Sequence, residues 1–253
     1  MSHSEQVIVT RSQGVMQIAL NRPEKKNALN KAMYAALRQA FEAAEQDPEI
    51  KAILLQGSEA CFTSGNDLAD FENRDPNAPS AGRLLLETMH HCKIPVVVAV
   101  SGLAVGIGTT LLLHCDLVYA APDARFRMPF INLAVCPEAG SSLILPETAG
   151  HRLAAELLLL GDFFSAQTAI EAGMVTRMVA AEELLSFAFE QAVKLAQKPS
   201  EAMMQTKRLL KKSQHQAVLD RFAEEFPLFG QMLLTPESQA ARQRALPRGK
   251  RSA

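Results

Sequence analysis

The chain has 253 residues, 48% of them hydrophobic, which is enough to bury one large core or a core with an appendage. Its 26 basic and 27 acidic side chains nearly cancel, so the chain as a whole lacks the electrostatic footprint of a nucleic-acid or membrane-surface protein. Four cysteines (Cys61, Cys92, Cys115 and Cys136) form no CxxC pair and lie in apolar contexts, so they read as buried, reduced thiols and not as metal ligands.

The opening "MSHSEQVIV" has neither a basic start before an apolar run nor an Arg/Ser-rich amphipathic stretch, and the closing "KRSA" matches no receptor-read address. No apolar run reaches membrane-spanning length. A soluble, cytoplasmic protein is the expectation. "QVIVT" and "VMQIAL" flank "RSQG" and predict a hairpin. From Lys31 to Glu45 apolar residues recur at helical spacing, with Asn30 placed to cap the start and "DP" to close the end. "KAILLQG" reads as a buried strand. A polar, Pro-containing loop from Asn73 to Ser80 then precedes a helix around Ala81 to Cys92. "PVVVAVSG" is a β-branched strand stopped by glycine, "GIGTTLLLHC" a helix and "DLVYAAP" a further strand. Strands alternating with helices predict parallel pairing and an α/β class. From about residue 181 the strand signals stop, and "KPS" at 198–200 reads as a joint before a helical tail.

Two turns have the composition to do chemistry. In "CFTSGNDLADF", Thr63, Ser64 and Gly65 end a strand-like segment and Asn66 or Asp67 can cap a short helix. In "SGLAVGIGTTLLL", Gly106 and Gly108 let the backbone approach a ligand and leave early helical N–H groups unpaired, an arrangement suited to an anion or a developing oxyanion. Small-residue turns before helices are also ordinary packing devices. Neither turn is a phosphate-binding loop, because no Lys-Ser/Thr follows the glycines and the spacing is not GxGxxG.

"NRPEKKNALN" (21–30), "FTSGNDL" (62–68), "SGLAVGIGTTLLLHCDLVYA" (101–120) and "RFRMPFINLAVCPEAGSS" (125–142), in this order, resemble the enoyl-CoA hydratase/isomerase, or crotonase, superfamily. The resemblance runs from about residue 6 to 180 and continues more weakly through the tail. It implies an α/β, crotonase-like spiral of ββα units over residues 1–197 and a C-terminal helical trimerisation segment over 198–253, giving a homotrimer or a dimer of trimers. It implies an acyl-CoA thioester substrate, so that coenzyme A belongs to the substrate and no separate cofactor is called for. It also implies an oxyanion hole formed by the backbone N–H groups of Asn66 and Ile107. The backbone around Ala28, Ser64, Asp67 and Leu68 matches the family's adenine and pantetheine contacts. Lys25 and Lys26 suit the coenzyme's phosphates, although solvated surface lysines are an equally ordinary reading.

Hydratases of this superfamily carry two glutamates at positions that are Thr110 and Phe130 here. Threonine cannot orient and deprotonate water, and phenylalanine has no proton to give, so straightforward hydration is not expected. Glu138 instead matches the catalytic base of the peroxisomal-type Δ3,Δ2-enoyl-CoA isomerases. One carboxylate over the acyl plane can take a proton from the α carbon and return it at the γ carbon, and an apolar surround would strengthen it as a base. Pro137 suits the first turn of a helix starting here, where a glutamate is favoured on helix-dipole grounds alone.

Other candidates read as structural. His114-Cys115-Asp116 reads as a capping histidine followed by a buried thiol. Cys136 has no basic neighbour to activate it, and Ser141 and Ser142 lack a GxSxG elbow. Lys207, Arg208, Lys211 and Lys212 read as a solvated helix face; because some superfamily members bind RNA, a nucleic-acid role for that cluster stays open. Three functions compete: a double-bond isomerase of fatty-acid or related acyl-CoA metabolism, another crotonase-type reaction such as hydration, and a non-catalytic CoA- or partner-binding homologue.

Overall fold

A computed structural model describes residues 6–58, 60–71 and 79–245. The chain opens with β1 (Val7–Ser12) and β2 (Val15–Leu20), an antiparallel pair. Gln13 and Gly14 between them both have positive φ, as a two-residue hairpin turn requires. Helix α1 (Lys31–Gln46) starts where expected, with the Asn30 side chain accepting from the Met33 N–H. Strand β3 (Ala52–Gln56), helix α2 (Ala81–His91), strand β4 (Val96–Val100) and the short β5 (Leu103–Val105) follow. The Asn73 to Ser80 loop lies outside the described residues except for its last two positions, where Ser80 caps α2 by accepting from the Arg83 N–H.

The predicted helix at 106–115 is shorter than its pattern. Only α3 (Ile107–Thr110) is α-helical, and Leu111–His114 tightens into a 3-10 turn. Then come β6 (Leu117–Ala120), β7 (Arg125–Arg127), α4 (Ser141–Ala149), α5 (His151–Leu160), β8 (Phe163–Ser165), α6 (Ala166–Glu171) and β9 (Arg177–Met178). Beyond these the described chain is helical: α7 (Leu184–Ala196), α8 (Ser200–Lys211), α9 (His215–Leu233) and α10 (Pro236–Ala245). No helix among the described residues is long and apolar enough to cross a membrane.

Six strands form one sheet in the order β1-β2-β3-β4-β6-β9, parallel except for the opening hairpin, and β5-β7-β8 form a second. Each turn of the spiral adds one strand to the large sheet, then a short strand or bridge beside the small one, then a helix. Thr63 supplies that bridge for its turn, pairing in parallel with Ala104. The continuous apolar runs are explained by burial on both faces. Ile53, Leu55, Val96, Val98 and Val100 face the main core with α1 and α2. Their alternates Leu54, Val97 and Ala99 face α7, where Ala188 and Ala192 let the helix lie close.

The basic cluster of the tail is not one solvated face. Lys207 is buried, donating to the Ile94 carbonyl and pairing with Asp116 at 2.7 Å, and Lys211 donates to the His114 carbonyl. Helical spacing placed them together, but the side they share meets the core. Only Arg208 and Lys212 of the four are left exposed, which removes half of the charge a nucleic acid could use.

Candidate active site

Asn27 organises the first rim of the site. Fully buried and with positive φ, it donates to the carbonyls of Cys61 and Phe62 and accepts from the Arg22 N–H, while the Thr63 hydroxyl donates to its carbonyl. This ties the 22–29 turn to the 61–68 turn. Arg22 adds a second tie, reaching the Ala28 carbonyl and the Asp67 carboxylate at 2.7 Å. Burial pushes the Asp67 carboxyl up, but the hydrogen bonds from Arg22 and the Ala69 N–H and the positive charges of Arg22 and Lys25 together outweigh it, and the net shift is downward.

Lys25, Lys26, Ala28 and Ser64 lie together on this rim. The N–H of Ser64 donates to the Lys26 carbonyl and that of Ala28 to the Lys25 carbonyl, and both lysine side chains face solvent. Asp67 donates its N–H to Leu29, and Leu68 opens a 3-10 turn. The turn therefore uses most of its own N–H groups, and the polar groups it offers to a ligand are mainly carbonyl oxygens, each with a second lone pair.

The two glycine-bearing turns lie side by side. Thr63 donates to Leu103 and accepts from Val105, and Gly65 packs so tightly on Val105 that a Cβ there would stand 2.5 Å from its carbonyl oxygen. Gly65 and Gly106 both adopt positive φ. Around them the N–H of Gly65 donates to Thr63, that of Asp67 to Leu29 and that of Gly106 to Arg127. The N–H groups of Asn66, between two bonded neighbours, and Ile107, at the first position of α3, meet no acceptor among the described residues. Two free donors on adjacent turns can bind one oxygen that gains negative charge.

Beside them is a cavity of about 300 Å³, lined by Leu29, Tyr34, Asn66, Gly82, Leu84, Glu138 and Phe229 among others. Glu138 is only 5% exposed there. It does not belong to a helix's first turn, as Pro137 suggested. Ala139 and Gly140 take left-handed backbone, which no helix continues through, and α4 begins only at Ser141. The turn is held from three directions. Ser141 donates its N–H and hydroxyl to the Glu138 carbonyl, His114 bonds through Nε2 to the Ala139 carbonyl at 2.9 Å, and the Glu225 carboxylate of α9 accepts from the N–H groups of Gly140 and Ser142 and from the Ser142 hydroxyl.

His114 is thus not a helix cap; its ring reaches 25 residues along the chain. Thr110 and Phe130 are both buried, and Phe130 packs edge-to-face on Phe229, which lines the cavity. Of the expected site residues, Asn66, Asp67 and Glu138 line the cavity, Ile107 borders it across Gly82, and the rest form the rim. Sequence reading missed Asn27, Tyr34, His114, Glu225 and Phe229, whose roles depend on contacts distant in the chain. All four cysteines are free, with Cys115 and Cys136 only partly buried, and burial pushes the Cys136 thiol up to about 11, as expected of a poor nucleophile.

The histidines make this region acid-sensitive. Burial first, then neighbouring positive charge, takes His114 from 6.5 down to about 3 and His90 to about 4. The unfolded chain then binds more protons than the folded one, so stability present at neutral pH is lost as pH falls below about 6.5, through about 4 for His90 and about 3 for His114. His114→Phe should cost about 1–3 kcal/mol at pH 7 by stranding the Ala139 carbonyl. It should also flatten the acid loss. Denaturant titrations at pH 7 and 5 check both, and equal pH slopes in the two proteins would overturn the second expectation.

A family model for enoyl-CoA hydratase/isomerase matches residues 10–250. Among curated relatives, 2,3-dehydroadipyl-CoA hydratase of Escherichia coli (strain K12) is 33% identical over 234 residues, 92% of each chain. Enoyl-CoA delta isomerase 2 of Homo sapiens is 32% identical over 87% of this chain and 58% of that protein. The solved structure of Pseudomonas aeruginosa OdaA superposes with a TM-score of 0.92 at 40% identity, covering 97% of this chain and 100% of that one.

Proposed function

We propose a reaction from a plain premise: the chain belongs to the enoyl-CoA hydratase/isomerase, or crotonase, family. Within it, this chain is a Δ3,Δ2-enoyl-CoA isomerase of fatty-acid or related acyl-CoA metabolism. The observation that carries the reading is Glu138, the buried one of the three carboxylates that line a mostly apolar cavity beside the Asn66 turn, with Thr110 and Phe130 where hydratases of the family hold their glutamates.

The thioester oxygen sits between the N–H groups of Asn66 and Ile107. Glu138 takes a proton from C2 of a 3-enoyl-CoA, and the electron pair moves into the C1–C2 bond to leave a dienolate, conjugated with the C3–C4 double bond, whose charge rests on that oxygen. The protonated Glu138 then delivers a proton to C4, and the double bond settles between C2 and C3. No water is activated, so one carboxylate suffices. The coenzyme lies along the rim of Ala28, Ser64, Asp67 and Leu68, with Lys25 and Lys26 near its phosphates.

The test is reaction choice: the protein should convert a 3-enoyl-CoA to the 2-enoyl product at least about 10²-fold faster than it hydrates a 2-enoyl-CoA, the loss expected when a general acid–base group is missing. Comparable rates would defeat the reading. The helices after residue 197 serve as the trimerisation segment in this proposal, so light scattering should give a trimer or hexamer of the 27.6 kDa chain, and a monomer would count against it.

A further inference from the structure

Helix α1 and Leu29, two residues before it, touch the 61–68 turn at three points around Asn66. The Leu29 N–H donates to the Gly65 carbonyl at 2.8 Å, and the Leu29 carbonyl accepts from the Asp67 N–H at 2.9 Å. These two bonds pin the residues on either side of Asn66. The third contact is made to Asn66 itself: the Tyr34 hydroxyl donates to its side-chain carbonyl at 2.5 Å. Gly65, with φ +88, leaves the turn little stiffness of its own. The Tyr34 ring is 4% exposed and lines the same cavity as Glu138. Its Cζ and hydroxyl lie 3.6 Å from the point where a Cβ would stand on Gly82, and the Ile107 side chain lies 3.1 Å from that same point. The phenol therefore bonds to Asn66 and shares a neighbour, Gly82, with the side chain of Ile107.

We propose that Tyr34 is a positioning residue for the oxyanion hole, fixing the Asn66 peptide through its side chain so that the N–H points at the thioester oxygen. This rests on the reading of Asn66 as an oxyanion donor given above. Tyr34 is well suited to the task because it stays protonated: burial first, then the charges of Glu138 and Asp70, hold its phenol well above the usual value of 10.0. Its one proton is committed to Asn66, so it is not a second proton source for the acyl chain. A donor held within a fraction of an ångström matters more than one merely present, because small misplacements at a reacting centre are costly.

Tyr34→Phe removes one oxygen and keeps the ring in the core. The probe is 2,4-hexadienoyl-CoA, whose absorption moves to longer wavelength when its carbonyl is polarised. The wild type should show that shift on binding, and Tyr34→Phe should reduce it by about half or more. With the 3-enoyl substrate kcat should fall about tenfold while KM stays within about twofold, the pattern of an interaction made in the transition state. An unchanged spectrum and unchanged kcat would overturn the proposal. Asn66→Ala removes the acceptor and keeps the N–H, and should reproduce the loss; in the double variant the losses should not add, and additive losses would overturn the coupling. If the wild type polarises the probe and Tyr34→Phe does not, the role of Tyr34 stands even where no isomerisation is found. If bound probe is not polarised in the wild type, the oxyanion hole and the role of Tyr34 fall together.

Discussion

Glu138→Gln should lower isomerase turnover by at least about 10²-fold, and by as much as the ~10⁴ that general acid–base catalysis supplies. Glutamine keeps the size and most of the polarity but cannot take a proton. The fold should persist, since the backbone of this turn is held by Ser141, His114 and Glu225. Affinity for a CoA product should change little, because the rim that would bear the coenzyme belongs to other segments. Stability should hold or rise slightly, since a charge buried at 5% exposure is costly to desolvate. The measurement is kcat on a 3-enoyl-CoA, with thermal melting as the control. A folded variant within about tenfold of wild type, a barrier change of ~1.4 kcal/mol, would remove Glu138 from the reaction.

Ile107→Pro comes next in size, with an expected loss of about 10²–10³ in turnover. The position suits the experiment. Ile107 is the first residue of α3, where proline's fixed φ is tolerated and the missing N–H breaks no helical bond. What disappears is a single donor. The buried isoleucine side chain also shrinks, so some stability, of order 1 kcal/mol, goes with it. Turnover must therefore be compared on protein shown to be folded, by far-UV circular dichroism at the assay temperature. Undiminished activity in such protein would exclude the Ile107 N–H as an oxyanion donor.

What could be read from the chain was what is local. Asn30 caps α1 because its side chain needs only the Met33 N–H three residues on. The paired turns were visible because Gly65, Asn66, Gly106 and Ile107 carry their geometry in their own backbone, and Glu138 because a carboxylate among small and apolar residues is costly without a purpose. The rest depends on distance. Tyr34 lies at an apolar helical spacing, where a buried tyrosine reads as core; only its partner 32 residues away gives it a role. Helical spacing put Lys207 and Lys211 on one face but could not say whether that face met water or Asp116. Pro137 and Glu138 resembled a helix start because such residues favour one. Left-handed Ala139 and Gly140, stabilised by His114 and Glu225, displaced that start to Ser141.

The Glu225 carboxylate has a consequence for how the protein is made. It supplies the acceptors that α4 lacks at its own start, where Gly140 offers no side chain to cap the helix. Gly140 and Glu225 are 85 residues apart. At about 5–20 residues per second, a ribosome needs roughly 4–17 s to travel from one to the other. During that interval the spiral can pair its strands, but the Glu138 loop waits without its cap, and the cavity waits for Phe229, which arrives one helical turn later. The nascent chain thus gains its sheet first and its active site only once α9 has been made.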